Sequence, residues 1–147
     1  MTTEVFTRDH VVAYGTARTK DEAIREVGAL LVEAGAVSPA YVDAMRERDR
    51  SVSTYLGSYL AIPHGTDEAK SQILRSALCL VRYAEPIEWG NDQPVRVVVG
   101  IAGIGAEHMT MLSKIALLFT DPEQVRKVLD APGADEIFDV IARVNEA

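Results

Sequence analysis

The sequence predicts a single α/β domain in which a small central sheet is covered by helices on both faces. Three observations carry that expectation. Helical and extended apolar patterns alternate along 147 residues without an internal repeat or a linker, which is the ordering of a layered α/β architecture. The runs Ala77-Leu78-Cys79-Leu80-Val81 and Val95-Arg96-Val97-Val98-Val99-Gly100-Ile101-Ala102 are short and almost continuously apolar, as strands buried on both faces are. With 48% apolar and 25% charged side chains, the chain 1–147 is one globular domain, long enough to build a core.

The elements follow in order. Val11, Val12 and Tyr14 before Gly15 give one short extended segment, with His10 beside it as an exposed polar residue. Thr19-Lys20-Asp21-Glu22 has the spacing of a capping box, and Ile24, Val27, Leu30, Leu31 and Ala34 then repeat at helical spacing up to Gly35. Ser38-Pro39 starts a second helix, Ser as N-cap and Pro at the first position. Val42 and Met45 form its apolar face, and it ends near Arg50.

Ser51 to Gly57 reads as a loop, and Tyr59 to Ile62 as a short strand. Pro63 biases Ile62 toward extended backbone, and Gly65 is free to take positive φ. The strand therefore delivers His64 to a sheet edge or rim before the chain turns away. Trp89-Gly90-Asn91-Asp92 turns between the two apolar strands, with Trp89 a partly buried anchor. Gly103-Ile104-Gly105-Ala106-Glu107-His108 leads into a helix carrying Met109, Leu112, Ile115, Ala116 and Phe119 on one face. Asp121-Pro122 opens another, with Val125, Val128 and Leu129 inward, and Pro132-Gly133 closes it. Ile137, Phe138, Ile141 and Val144 mark the last helix.

Composition excludes several classes of function. The formal charge is −7, and the only arginine cluster, Arg46, Arg48 and Arg50, is interleaved with Glu47 and Asp49, so no basic stripe for nucleic acid exists. No apolar run approaches the roughly 18 residues of a membrane span. Met1-Thr2-Thr3-Glu4 lacks the features of a secretory leader. One cysteine, Cys79, makes no internal disulfide and suits a reducing compartment; in mid-strand it reads as an inert core residue. A cytoplasmic location is expected. Three histidines and one cysteine lie far apart, without the paired short spacings of a zinc motif. The turn at Gly100–His108 lacks both the P-loop ending and the dinucleotide spacing, and no G-x-S-x-G elbow is present.

On the residues alone, three side chains are candidates for chemistry, and each also has a plain structural role. His64 is a group held by its backbone and open on one side, or a turn histidine. His108 stands at a glycine-containing helix start whose amides face an anion, or is a polar residue there. Arg48 offers a planar cationic fork, or complements a helix C-terminus.

A resemblance favours the chemical roles. Thr54-Tyr55-Leu56-Gly57, Ala61-Ile62-Pro63-His64-Gly65-Thr66 and Glu68-Ala69-Lys70 look like the signature of the enzyme IIA domains of the phosphoenolpyruvate-dependent sugar phosphotransferase system. The nearest branch is the mannitol type within the mannitol/fructose class. Upstream, Thr19-Lys20-Asp21-Glu22-Ala23-Ile24 and Tyr41-Val42-Asp43-Ala44-Met45 with Arg48-Asp49 resemble the family, as do Gly100-Ile101-Ala102 and Glu107-His108 downstream. The resemblance thus covers nearly the whole chain.

It implies a mixed sheet, a phosphoryl group carried on Nε2 of His64, and a pocket lined by Arg48 and His108. No cofactor or metal is implied. The partners it implies are phosphocarrier HPr as donor and a IIB or IIBC component of a sugar permease as acceptor, for mannitol or a related sugar. A regulatory nitrogen-type relative, phosphorylated as a signal, would use the same residues. Asp49 stands where Glu is usual. Ser58 stands where Glu or Asn is expected, so no role is carried over to position 58. Leu56, Tyr59 and Ile104 are the apolar residues expected at the centre of a partner interface.

Overall fold

Two strands with apolar side chains on both faces hold the middle of the molecule. In the computed structural model, which describes residues 5–142, β4 (Ala77–Glu88) and β5 (Pro94–Ala102) pair antiparallel. β1 (Val11–Val12) lies parallel to β4, and β3 (Leu60–Ala61) parallel to β5. β2 (Tyr55–Gly57) pairs antiparallel with β3, so the five-stranded sheet has the order β1-β4-β5-β3-β2. The sheet is mixed and the domain is α/β, as expected. The terminal stretch Met1-Thr2-Thr3-Glu4 and Val144 lie outside the described residues.

Alternation along the strands sorts the core into two layers. Cys79 and Val81 of β4 and Val98 and Ala102 of β5 pack under α1 (Lys20–Glu33) and α2 (Pro39–Ser51) through Ile24, Val27, Leu31 and Met45. Leu78, Leu80, Val97, Val99 and Ile101 face the other way. There they meet Met111 and Ile115 of α3 (Glu107–Leu118), Val125 and Val128 of α4 (Pro122–Asp130), and Ile137 and Ile141 of α5 (Ala134–Ile141). Helices cover both faces, and burial of these side chains at ~25 cal/mol per Å² of apolar surface is the main force holding the layers together.

Several local features depart from the sequence reading. β4 runs seven residues beyond Val81, because Arg82 is buried and its guanidinium donates to the carbonyls of Val128 (3.0 Å) and Ala131 at the end of α4. That cation satisfies orphan carbonyls at a helix C-terminus. Trp89 is fully rather than partly buried, at the start of a turn in which Gly90, Asn91 and Asp92 all have positive φ. The Ser51–Gly57 loop contains the end of α2 and all of β2. Gly57↔Leu60 pairing leaves Ser58 (φ 52°) and Tyr59 (φ 66°) as a two-residue hairpin turn. Left-handed values at both positions fit a hairpin's twist, yet neither residue advertises them as Asn-Gly would. The expected strand from Tyr59 to Ile62 is correspondingly shorter, Leu60–Ala61.

Caps and faces also shift. Thr19 Oγ1 accepts from the Glu22 amide (3.2 Å), but the Glu22 carboxylate reaches back to the amide of Arg18 (2.9 Å) instead of that of Thr19. Ser38 precedes α2 without capping it; its hydroxyl is turned to the Gln72 side chain. Met109 is exposed, so α3 turns Met111, Ile115 and Leu118 inward. His10 is buried beside Phe6, not exposed, and burial lowers its pKa below the ordinary imidazole value.

Candidate functional site

The backbone around Pro63 decides where His64 goes. Ile62 donates to the Thr54 carbonyl (3.0 Å), and Ile101 of β5 donates to the Pro63 carbonyl (3.0 Å). His64 is then the last residue in register with β5, opposite Ile101 in a parallel bridge. It leaves the sheet from an interior strand, second from the edge, not from an edge itself. Gly65 is required for close approach and not for positive φ: a Cβ there would lie 2.5 Å from the Tyr41 ring.

His64 Nδ1 lies 2.9 Å from the Ile62 carbonyl. A carbonyl only accepts, so this contact places the proton on Nδ1 and leaves the Nε2 lone pair free at the cleft that His64 lines. Burial lowers the His64 pKa; the Ile62 carbonyl acts in the opposite sense, and the Arg48 charge adds to the lowering. The neutral form therefore persists below the usual histidine range.

His108 faces it, with ring centroids 5.1 Å apart and planes at 61°. Its position comes from the loop before α3. A Cβ on Gly103 would lie 2.4 Å from the His108 Cα, so only glycine lets the helix start this close. Ser76, buried at the start of β4, accepts from the Ile104 amide and donates to the Glu107 carboxylate, each at 2.9 Å. The amides of Glu107 and His108 are turned to the Ile104 and Gly105 carbonyls. An anion at this helix start would therefore rely chiefly on side chains. The His108 pKa is lowered by burial first and then by His64 and Lys70.

Arg48 comes from the last turn of α2, with Nη1 donating to the Val52 carbonyl (2.8 Å). Arg48, His64 and His108 line one cleft of about 530 Å³, together with Tyr41, Thr66 and Lys70. The three candidates are thus brought together from α2, the end of β3 and α3. Ser58 is not among them: it sits at the β2–β3 turn, with Tyr59, beside Arg96 and Thr120 in a separate groove. Cys79 is buried, and its thiol is pushed up to about 12, which removes it from thiolate chemistry. Among the described residues, no three His, Cys, Asp or Glu side chains are grouped to hold a metal, and no helix is long and apolar enough to cross a membrane.

Behind the cleft, Asp49 ties three elements. Its fully buried carboxylate takes the Thr54 amide (3.0 Å) and hydroxyl, the Trp89 indole N–H (3.4 Å), and the Lys20 ammonium (2.7 Å). Burial alone would raise its pKa; Lys20 and Thr54 outweigh that and lower it. A carboxylate with a depressed folded pKa stabilises above its unfolded value of 3.8 and loses that contribution as pH falls through the folded value. Lys20→Met should therefore cost about 3 kcal/mol at neutral pH, by leaving a buried charge uncompensated. The difference from the unaltered protein should shrink as pH drops below the carboxylate range. Denaturant titration at pH 7 and pH 3.5 tests this; equal losses at both pH values would assign the effect to packing.

Sequence reasoning had not singled out Tyr41 as a site residue. Its hydroxyl accepts from the Gly65 amide and donates to the Ile101 carbonyl, both at 2.9 Å. Nothing in its own neighbourhood of sequence signals that role, since both partners lie far along the chain.

Known proteins resemble this chain over nearly its whole length. A family model described as phosphoenolpyruvate-dependent sugar phosphotransferase system, EIIA 2, matches residues 4–144. The chain is 46% identical over 146 residues to a mannitol-specific phosphotransferase enzyme IIA component from Halalkalibacterium halodurans, covering 99% of this chain and 100% of that one. A crystal structure of mannitol IIA from Escherichia coli superposes with a TM-score of 0.85 at 33% identity, over 92% of this chain and 97% of that one. The complex of enzyme IIA and phosphorylated enzyme IIB for mannitol, also from Escherichia coli, gives a TM-score of 0.85 at 32% identity, over 93% and 98% of the two chains.

Proposed function

Because the chain belongs to the EIIA 2 family of the phosphoenolpyruvate-dependent sugar phosphotransferase system, we propose that it is a phosphoryl carrier whose acceptor atom is His64 Nε2. The supporting observation is the contact of His64 Nδ1 with the Ile62 carbonyl, which frees Nε2 beside His108 and Arg48. The donor is phosphohistidine on HPr. The Nε2 lone pair attacks phosphorus, the P–N bond to HPr breaks as the new P–N bond forms, and no proton has to leave Nε2 first. Charge on the moving group meets the Arg48 fork and the His108 imidazole, since catalysis of this kind is mostly positioning and electrostatics. The reverse geometry then passes the group to a cysteine of a IIB component.

Full-length similarity to mannitol-specific proteins and to a IIA solved with phosphorylated IIB supports transport of mannitol or a related sugar over a purely regulatory role, in the cytoplasm with HPr. Incubation with phosphoenolpyruvate, enzyme I and HPr should add one phosphoryl group, seen by intact mass and mapped to His64. An unchanged mass would overturn the reading.

The partner surface has an apolar rim at the cleft. Met109, 60% exposed, lines the cleft, and Ile104, 47% exposed, lies in the chain between two lining residues, Gly103 and Gly105. Tyr59 sits at the β2–β3 turn and Leu56 next to it. With a formal charge of −7, encounter with a basic partner should be steered electrostatically. Accordingly kcat/KM for phosphorylation by HPr should fall several-fold between roughly 0.02 M and 0.3 M salt. The rate with a small phosphodonor should change much less. Equal salt dependence for both would place the effect in the pocket.

A further inference from the structure

The peptide units on either side of His64 are held by one residue of the central strand, through two different arms. On the N-terminal side, Ile101 N–H donates directly to the Pro63 carbonyl. On the C-terminal side, Gly65 N–H donates to Tyr41 Oη, and that hydroxyl donates to the Ile101 carbonyl. In a parallel pair centred on His64 and Ile101, the Gly65 amide would ordinarily donate to that carbonyl directly. The phenolic oxygen stands in this rung, accepting from one side and donating to the other. It keeps both backbone groups satisfied at the position where the imidazole must leave the sheet.

The ring fits as closely as the hydroxyl. Tyr41 is 2% exposed, and its Cε1 occupies the space a Cβ on residue 65 would need. Burial raises the phenol's pKa, with the Gly65 amide acting the other way, so the hydroxyl stays a donor at neutral pH. Two hydrogen bonds and a steric stop leave the His64 backbone little freedom on this side.

We propose that Tyr41 is a positioning residue for phosphoryl transfer: through Gly65 it fixes the 62–65 segment, and so keeps the Ile62 carbonyl within reach of His64 Nδ1. The tautomer of His64 and the aim of Nε2 then depend on a hydroxyl contributed by α2. The catalytic half of this inference rests on the carrier role of His64; the structural half does not.

Tyr41→Phe keeps the ring and removes the oxygen. Transfer from phospho-HPr at saturation should slow roughly ten- to a hundredfold, with KM changed by less than about twofold, because aim is lost and docking is not. Nitrogen NMR of the His64 imidazole should change from the single Nδ1–H tautomer to a mixture, a signature that a merely structural hydroxyl would not move. Gly65→Ala, which drives the ring away while retaining the hydroxyl, should reproduce both changes. An unchanged tautomer with a transfer rate near that of the unaltered protein would overturn the proposal. Should neither variant fold, amide exchange in the unaltered protein decides: protection of Gly65 by about a hundredfold or more supports the clamp, and exchange at the rate of open chain overturns it. If the unaltered protein accepts no phosphate at all, the carrier reading fails, while tautomer and amide exchange still judge the clamp.

Discussion

His64→Ala should accept no detectable phosphoryl group from phospho-HPr while keeping the circular dichroism spectrum and unfolding midpoint of the unaltered protein to within a few degrees. The transfer loss is total because no other side chain in the cleft offers a neutral nucleophilic nitrogen held by a carbonyl on its far side. His108 faces His64, but among the described residues no carbonyl holds one nitrogen of its ring so as to aim the other. The fold survives because His64 is only half-buried and its anchoring contacts are backbone: Pro63 to Ile101, Ile62 to Thr54. Removing the imidazole leaves the Ile62 carbonyl short of one partner at a cleft open to water, a cost on the order of 1 kcal/mol. Labelling of the folded variant at the normal rate would sink the assignment of the acceptor.

Arg48→Ala and His108→Ala should each slow transfer by on the order of a hundredfold, the usual effect of removing one preorganised charge-stabilising group. Neither should destabilise strongly. The Arg48 guanidinium donates to the carbonyl of Val52, an exposed residue whose carbonyl can turn to water. Arg48→Lys should remain well below the unaltered rate, since an ammonium cannot present two parallel donors to phosphate oxygens. The double variant should be less impaired than the product of the single losses, because both groups act on one phosphoryl. Single-turnover transfer alongside denaturant unfolding separates rate from stability. Two single variants with normal transfer would assign these side chains to the fold and remove them from the site.

Much of this molecule was decided locally and is legible in sequence. Thr19 and Gly35 bound a helix because a hydroxyl cap and a residue free to take positive φ act within one turn of chain. The continuous apolar runs of β4 and β5 announce burial on both faces, because alternate side chains go to opposite layers. Pro63 and Gly65 around His64 mark a place where strand ends, and the motif around them resembles a family that the comparisons bear out.

Tertiary structure alone decided the rest, because the deciding partners are remote. The extension of β4 depends on Arg82 finding carbonyls at the end of α4, 46 residues away. The β2–β3 hairpin forms although Ser58 and Tyr59 are poor turn residues, because β3 is held against β5 and imposes the pairing. His10, polar in sequence, is buried by packing on Phe6. Gly65 is needed for a phenol that arrives from α2, and not for its own backbone angle. The proton on His64 sits on Nδ1 because a carbonyl two residues back is turned toward the ring, a direction set by pairing with β5. Sequence therefore determined which residue types stand in the cleft. Their charge states and mutual aim were fixed by long-range packing, since distance and desolvation exist only once remote segments meet.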